Sequence, residues 1–130
     1  MFRLITGCKN TIIPKRGLTA IEMLSFFECD IAGDVVIPEG VTEIKASSFN
    51  GSGITSVYIP DSVKTIEGGA FANCIHLQNV RLSEQLEELK TAVFLKCVNL
   101  EKIVIPSSVS SIGFIAFSEC ERLRDVTLPT

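Results

Sequence analysis

Three copies of one pattern run through the second half of the chain at a fixed interval. Phe71, Phe94 and Phe117 lie 23 residues apart, as do Cys74, Cys97 and Cys120, and Leu77, Leu100 and Leu123. A fourth copy precedes them with Phe49 and Ile54, and its turn is one residue shorter than the Phe71-to-Leu77 turn. A period of this length points to a solenoid, in which each unit buries its apolar side against the next unit rather than within itself.

Inside each unit the apolar residues first alternate. The pairs are Val57 and Ile59, Val80 and Leu82, Ile103 and Ile105, Val126 and Leu128. Alternation is the period of a strand. Pro38, Pro60, Pro106 and Pro129 follow directly, with Ser83 as the exception. Proline lacks a backbone donor, so it should end a short strand at a corner. A second apolar pair comes next, three residues apart: Val41 and Ile44, Val63 and Ile66, Leu86 and Leu89, Val109 and Ile112. Each coil of the chain should therefore be a short strand, a corner, a second extended run, and a tight turn closed by Phe and Cys.

The unit L-x-x-V/I-x-I/L-P-x-x-V-x-x-I-x-x-x-A-F-x-x-C resembles the leucine-rich repeat of the BspA-like (Treponema-type) family. The match is close over residues 34–130, because Pro, Phe and Cys recur in phase with the aliphatics. Residues 1–33 fit it as degenerate copies, carried by Ile13-Pro14, Leu18, Ile21, Phe26 and Cys29, with Gly7-Cys8-Lys9-Asn10-Thr11 as a shortened turn. The resemblance implies one leucine-rich-repeat domain over 1–130: a right-handed superhelix of ~23-residue turns with stacked parallel strands and little or no long helix. It also implies a surface or secreted protein that binds host matrix, other cells or other proteins. The Gly51-Ser52-Gly53 turn lacks the Cys of its neighbours and should be looser, so Phe49 should contribute less to the core than Phe94.

Composition narrows the function classes. A 130-residue chain with 46% apolar content can hold a continuous core. A net charge of −3 argues against nucleic acid, whose binders carry a basic face. No run of about 18 apolar residues is present to span a membrane. Ile5-Thr6-Gly7-Cys8 resembles a lipobox, but only seven residues precede Cys8, too few for a charged segment and an apolar one. Cys8 therefore reads as part of a repeat. Without a signal peptide the chain is either cytoplasmic or a piece of a longer surface protein.

Chemistry-bearing residues are sparse. Five cysteines without a C-x₂₋₄-C pair do not suit zinc, and they read as reduced structural thiols, three of them in one column. The single histidine, His76, follows Cys74 by two residues, but its repeat slot holds Asn99 and Arg122 elsewhere, which suggests an outward turn position. Glu84 and Glu87-Glu88 read as a solvated acidic corner, and Gly68-Gly69 as a turn. No catalytic residue, cofactor or metal is expected, so the chain does not read as an enzyme.

What remains is surface. One outward column of the strand face should read Val36, Tyr58, Arg81, Val104, Thr127, and its neighbour Asp34, Ser56, Asn79, Lys102, Asp125. These columns vary while the core columns do not, and Tyr and Arg are frequent interface anchors. Tyr58, Arg81, Lys102, Val104 and Asp125 are the candidate contacts for a protein partner. The alternative is a structural spacer whose strand face binds nothing. Phe114 and Ile115 stand where other copies carry Ala46-Ser47, Gly68-Gly69 and Thr91-Ala92. They should cap the core or meet another molecule, and with Val126 and Leu128 they mark an end open to further repeats or to weak self-association.

Overall fold

The computed structural model describes residues 17–29 and 32–128. The Gly7-to-Thr11 turn, the lipobox-like Ile5-to-Cys8 segment, Ile13-Pro14 and Pro129 lie outside the described residues. The architecture is a parallel-strand solenoid of about five turns, with no helix among the described residues.

Each turn contributes two strands. The first series is β2 (Ala32–Val36), β4 (Gly53–Tyr58), β6 (Asn79–Arg81), β8 (Lys102–Val104) and β10 (Asp125–Thr127). The second series, after the corner, is β1 (Ala20–Ile21), β3 (Glu43–Ile44), β5 (Thr65–Ile66), β7 (Glu88–Leu89) and β9 (Ser111–Ile112). All pairings are parallel, in the orders β2-β4-β6, β8-β10, β1-β3-β5 and β7-β9. Pro38, Pro60 and Pro106, and Ser83 in the exceptional copy, each accept a hydrogen bond from the amide three residues on, at 3.1–3.4 Å. That bond bends the chain from the first strand into the second run.

The core lies between the two strand series and the closing turns. Phe26, Phe49, Phe71, Phe94 and Phe117 form a continuous stack, with ring centroids 4.8–5.7 Å apart and planes within 14° of parallel. Stacking rather than edge contact follows from the repeat, because in-register turns place identical side chains in the same orientation. Beside the rings runs a ladder of thiols. Cys74 Sγ donates to Phe49 O at 3.1 Å, Cys97 Sγ to Phe71 O at 3.2 Å, and Cys120 Sγ to Phe94 O at 3.1 Å. Each thiol thereby satisfies a buried carbonyl of the preceding turn.

Two expectations need correction here. The Gly51-Ser52-Gly53 turn is not loose. Ser52 takes the cysteine slot, is buried, and lies 3.6 Å from Cys74 Sγ, while Gly51 N donates to Ala72 O at 2.9 Å. The missing residue is absorbed by lengthening β4 to six residues, with a bulge in the pairing at Gly33/Asp34. The five thiols are also not all reduced: Cys29 is disulfide-bonded, whereas Cys74, Cys97 and Cys120 are free. Parallel ladder positions do not favour crosslinks between adjacent turns, and that argument holds for the three; Cys29 sits in the first described turn.

Each turn also carries two residues in the left-handed region. One column is Leu24, Ser47, Gly69, Ala92 and Ile115, and the other is Glu28, Gly51, Asn73, Lys96 and Glu119, with φ between 52° and 77°. Few of these positions are glycine, so most turns hold an unfavourable backbone conformation through the surrounding stack.

Candidate functional site

The strand register places the outward residues in rows. Asp34 pairs with Ser56 and Ser56 with Asn79; Val36 pairs with Tyr58 and Tyr58 with Arg81. Asp125 pairs with Lys102, and Thr127 with Val104. Strands β6 and β8 lie side by side without a bridge between them. The two columns thus stand as the repeat alignment places them, and together they line a shallow groove of about 460 Å³ across the strand face.

Apolar side chains project into this groove. Val36 is 65% exposed, Val104 63% and Tyr58 43%. Strand alternation explains this: Val35, Val57 and Ile103 point into the core and their neighbours must point out. Arg81 is held in place. Its guanidinium lies over the Tyr58 ring, 4.9 Å from the centroid, and Nη1 donates to Asp61 Oδ1 at 2.9 Å and to Ile59 O at 2.8 Å. The Glu84 amide donates to the same Asp61 oxygen at 2.8 Å. That amide first, and the Arg81 guanidinium second, hold the Asp61 carboxyl below its ordinary range. Arg81 is therefore a bracket that fixes Tyr58 as much as a free donor. Lys102 and Asp125 sit side by side on the exposed face.

Sequence reasoning grouped Glu84 with Glu87 and Glu88 as an acidic corner and did not connect it with the row beyond the corner. Glu39, Asp61 and Glu84 occupy the slot directly after the Pro or Ser of successive copies, and all are exposed. Their spacing was readable once the corners were aligned. It also passed over Met23, Leu24 and Phe27, exposed in the first described turn. Met23 and Leu24 fill the slots of Phe114 and Ile115, so the apolar pair occurs in the first and the last of these turns. Phe114 is 78% exposed and caps nothing; Ile115 is also exposed and takes φ 52°, a strained value for a β-branched residue.

The cysteine and histidine do not form a catalytic pair. Cys74 is buried, and burial pushes its thiol up to about 11, away from the thiolate that nucleophilic chemistry needs, while His76 is exposed on the turn. Among the described residues no group of three His, Cys, Asp or Glu side chains could hold a metal ion. No helix among them is long and apolar enough to cross a membrane.

Comparison with known proteins agrees with this geometry. The family described as "BspA type Leucine rich repeat region" matches residues 1–130 with six copies. A leucine-rich repeat protein from Bacteroides ovatus ATCC 8483 superposes with a TM-score of 0.84 at 28% identity, over 90% of this chain and 30% of that one. A leucine rich cell surface protein from Faecalibacterium prausnitzii A2-165 gives 0.59 at 33% identity, over 75% of this chain and 32% of that one. A leucine-rich repeat protein from Bacteroides capillosus ATCC 29799 gives 0.64 at 31% identity, over 75% of this chain and 77% of that one. The chain thus spans about a third of the length of the first two. No curated protein matches it at a significant level.

Proposed function

The chain belongs to the BspA type leucine-rich repeat family, and on that premise we propose that it is an adhesin-like interaction module that engages a protein partner through its strand face. Family and fold are those of non-enzymatic repeat proteins, which generally serve protein interaction. The observation that carries the proposal is the groove: Val36, Tyr58 and Val104 project from a parallel sheet that a spacer could as well cover with polar residues. Exposed aromatic and aliphatic side chains gathered in one concave place are what a partner buries. Tyr58, Arg81, Lys102, Val104 and Asp125 are the contact residues of this reading. Residues 1–130 act as one domain in it, with 1–33 degenerate and 34–130 regular. The surface or secreted location that it requires is supported by the Faecalibacterium relative's description as a cell surface protein, and by the Cys29 disulfide, since such bonds persist in oxidising compartments.

The test is capture of purified extracellular-matrix proteins by the immobilised chain. Tyr58→Ala with Val104→Ser should abolish capture, while Lys96→Ala on the turn side should leave it intact. Capture that survives alanine at every outward strand position would favour the alternative, a spacer with no ligand of its own.

A further inference from the structure

Resting on the strand-face reading, we propose that the occupant of this face is a basic, extended polypeptide segment that also carries apolar side chains. The first argument is spacing. Val36 and Val104 are three turns apart in the solenoid, about 14 Å at the usual inter-strand separation of ~4.8 Å. Four residues of extended chain cover about 13 Å at ~3.3 Å each, and their alternate side chains point the same way. A segment laid along the solenoid axis therefore sets side chains i and i+4 against Val36 and Val104, with i+2 between Tyr58 and Arg81.

The second argument is charge. Two cations near the groove are neutralised within the chain: Arg81 by Asp61 at 2.9 Å and Arg124 by Glu101 at 2.9 Å. Among the described residues no ion pair engages Asp34, Glu39, Glu84 or Asp125; the unpaired cations near them are Lys102 in the groove and Lys64 past the corner. Four carboxylates against two ammonium groups leave the surroundings of the groove acidic, with carboxylates on both flanks of the apolar column. Glu39 and Glu84 stand past the corner on one side, and Asp34 and Asp125 on the other. Lysine and arginine have long flexible stems, so basic residues at intervening positions of the segment can reach either flank while its apolar side chains stay in the groove. An acidic segment would meet repulsion on both sides.

The experiment uses the whole chain and three short labelled peptides followed by fluorescence anisotropy. One alternates lysine with valine, one alternates glutamate with valine, and one is oligolysine of the same length. The lysine–valine peptide should bind and weaken as salt is raised. The glutamate–valine peptide should not bind, and oligolysine should bind several-fold more weakly. Glu39→Lys with Glu84→Lys should reduce affinity for the lysine–valine peptide by about tenfold, with the thermal melt unchanged because both side chains are exposed. The proposal is overturned if the glutamate–valine peptide binds as well, if oligolysine binds equally, or if charge reversal changes nothing. Matrix capture separates this proposal from the one beneath it. Capture lost with Tyr58→Ala and Val104→Ser but kept with the charge reversals leaves the strand face standing and removes the basic segment. Capture kept with both sets removes the strand face itself.

Discussion

A phenylalanine in this chain is stabilised by what lies on both of its faces. Phe49, Phe71 and Phe94 are fully buried and each is stacked on two neighbours, whereas Phe117 has a stacking partner only in Phe94 and is partly buried. Phe94→Ala should destabilise by about 3–5 kcal/mol, the usual range for a buried aromatic. Phe49→Ala should fall in the same range, contrary to what its shortened turn suggests, because its centroid contacts of 4.8 and 5.2 Å are the tightest in the stack. Phe117→Ala should be the mildest of the three. Denaturant melts of the three variants check the order; a loss under about 1 kcal/mol for Phe94→Ala would contradict the stack. The thiols give a second residue-scale expectation. With Cys29 bonded and the ladder thiols free, titration of denatured, unreduced protein should count fewer than five thiols, and five after reduction. In the native state Cys120 should react first, since it alone of the ladder thiols is partly exposed. Burial raises all three ladder thiols above their ordinary value of 9.0, Cys74 to about 11. The folded state therefore holds protons that the unfolded chain gives up, and stability should fall as pH rises from about 9 to about 11. Urea titrations at stepped pH would show this, and a flat profile across that window would mean the thiols are solvated.

At the scale of the element, the strands were legible because their signals are local and repeated. Alternation fixed which residues of β4, β6, β8 and β10 face outward, and the observed register pairs the same residues that the copies align. The second strand series was legible from its apolar pairs three apart. What escaped was written in backbone conformation or in single exceptions. The left-handed columns carry Leu24, Ala92, Lys96 and Ile115, residue types that give no sign of positive φ. Ser52 was invisible as a ladder residue because its copy is one residue short. The Cys29 disulfide could not be read from spacings that contain no paired motif. Candidate site residues were legible as columns, but the Asp61 bracket that ties Arg81 to Tyr58 joins residues 20 and 23 positions apart across two turns, beyond any local pattern. Ser83 shows how an exception is accommodated. In the corner slot of proline its hydroxyl donates to Val63 O at 2.6 Å and accepts from Gln85 N at 3.0 Å. Ser83→Ala should therefore destabilise by about 1–3 kcal/mol, because a buried carbonyl loses its donor. Chemical denaturation measures it; a neutral result would mean that the corner closes on the Leu86 amide alone, which lies 3.4 Å from Ser83 O.

For the whole molecule the decisive feature is that the last described turn is more exposed than the turns before it. Ile21, Ile44, Ile66, Leu89 and Ile112 occupy one repeat position, and the first four are at most 1% exposed while Ile112 is 47% exposed. Val126 and Leu128 are exposed as well, and β9 and β10 each pair on one side only among the described strands. An unpaired parallel edge over an exposed core is a template for another strand. In the first described turn Leu18, Ile21, Phe26 and Cys29 are buried, while Met23, Leu24 and Phe27 are exposed. Self-association of the 130-residue chain through this exposed edge should give a two-fold dimer, in which the same surface of each copy meets the other. The contact area of one turn is small, which places the expected dissociation constant in the micromolar to millimolar range, about −8 to −4 kcal/mol. Sedimentation velocity over rising concentration should show monomer giving way to dimer and nothing larger. Val126→Lys with Leu128→Lys should abolish the shift without unfolding the chain, because both side chains already face water. Phe114→Ser with Ile115→Ser tests whether the exposed pair on the last full turn contributes to the same contact. A monomer at about 1 mM, unaltered by either double substitution, would mean that this exposed end does not recruit a second copy of the chain.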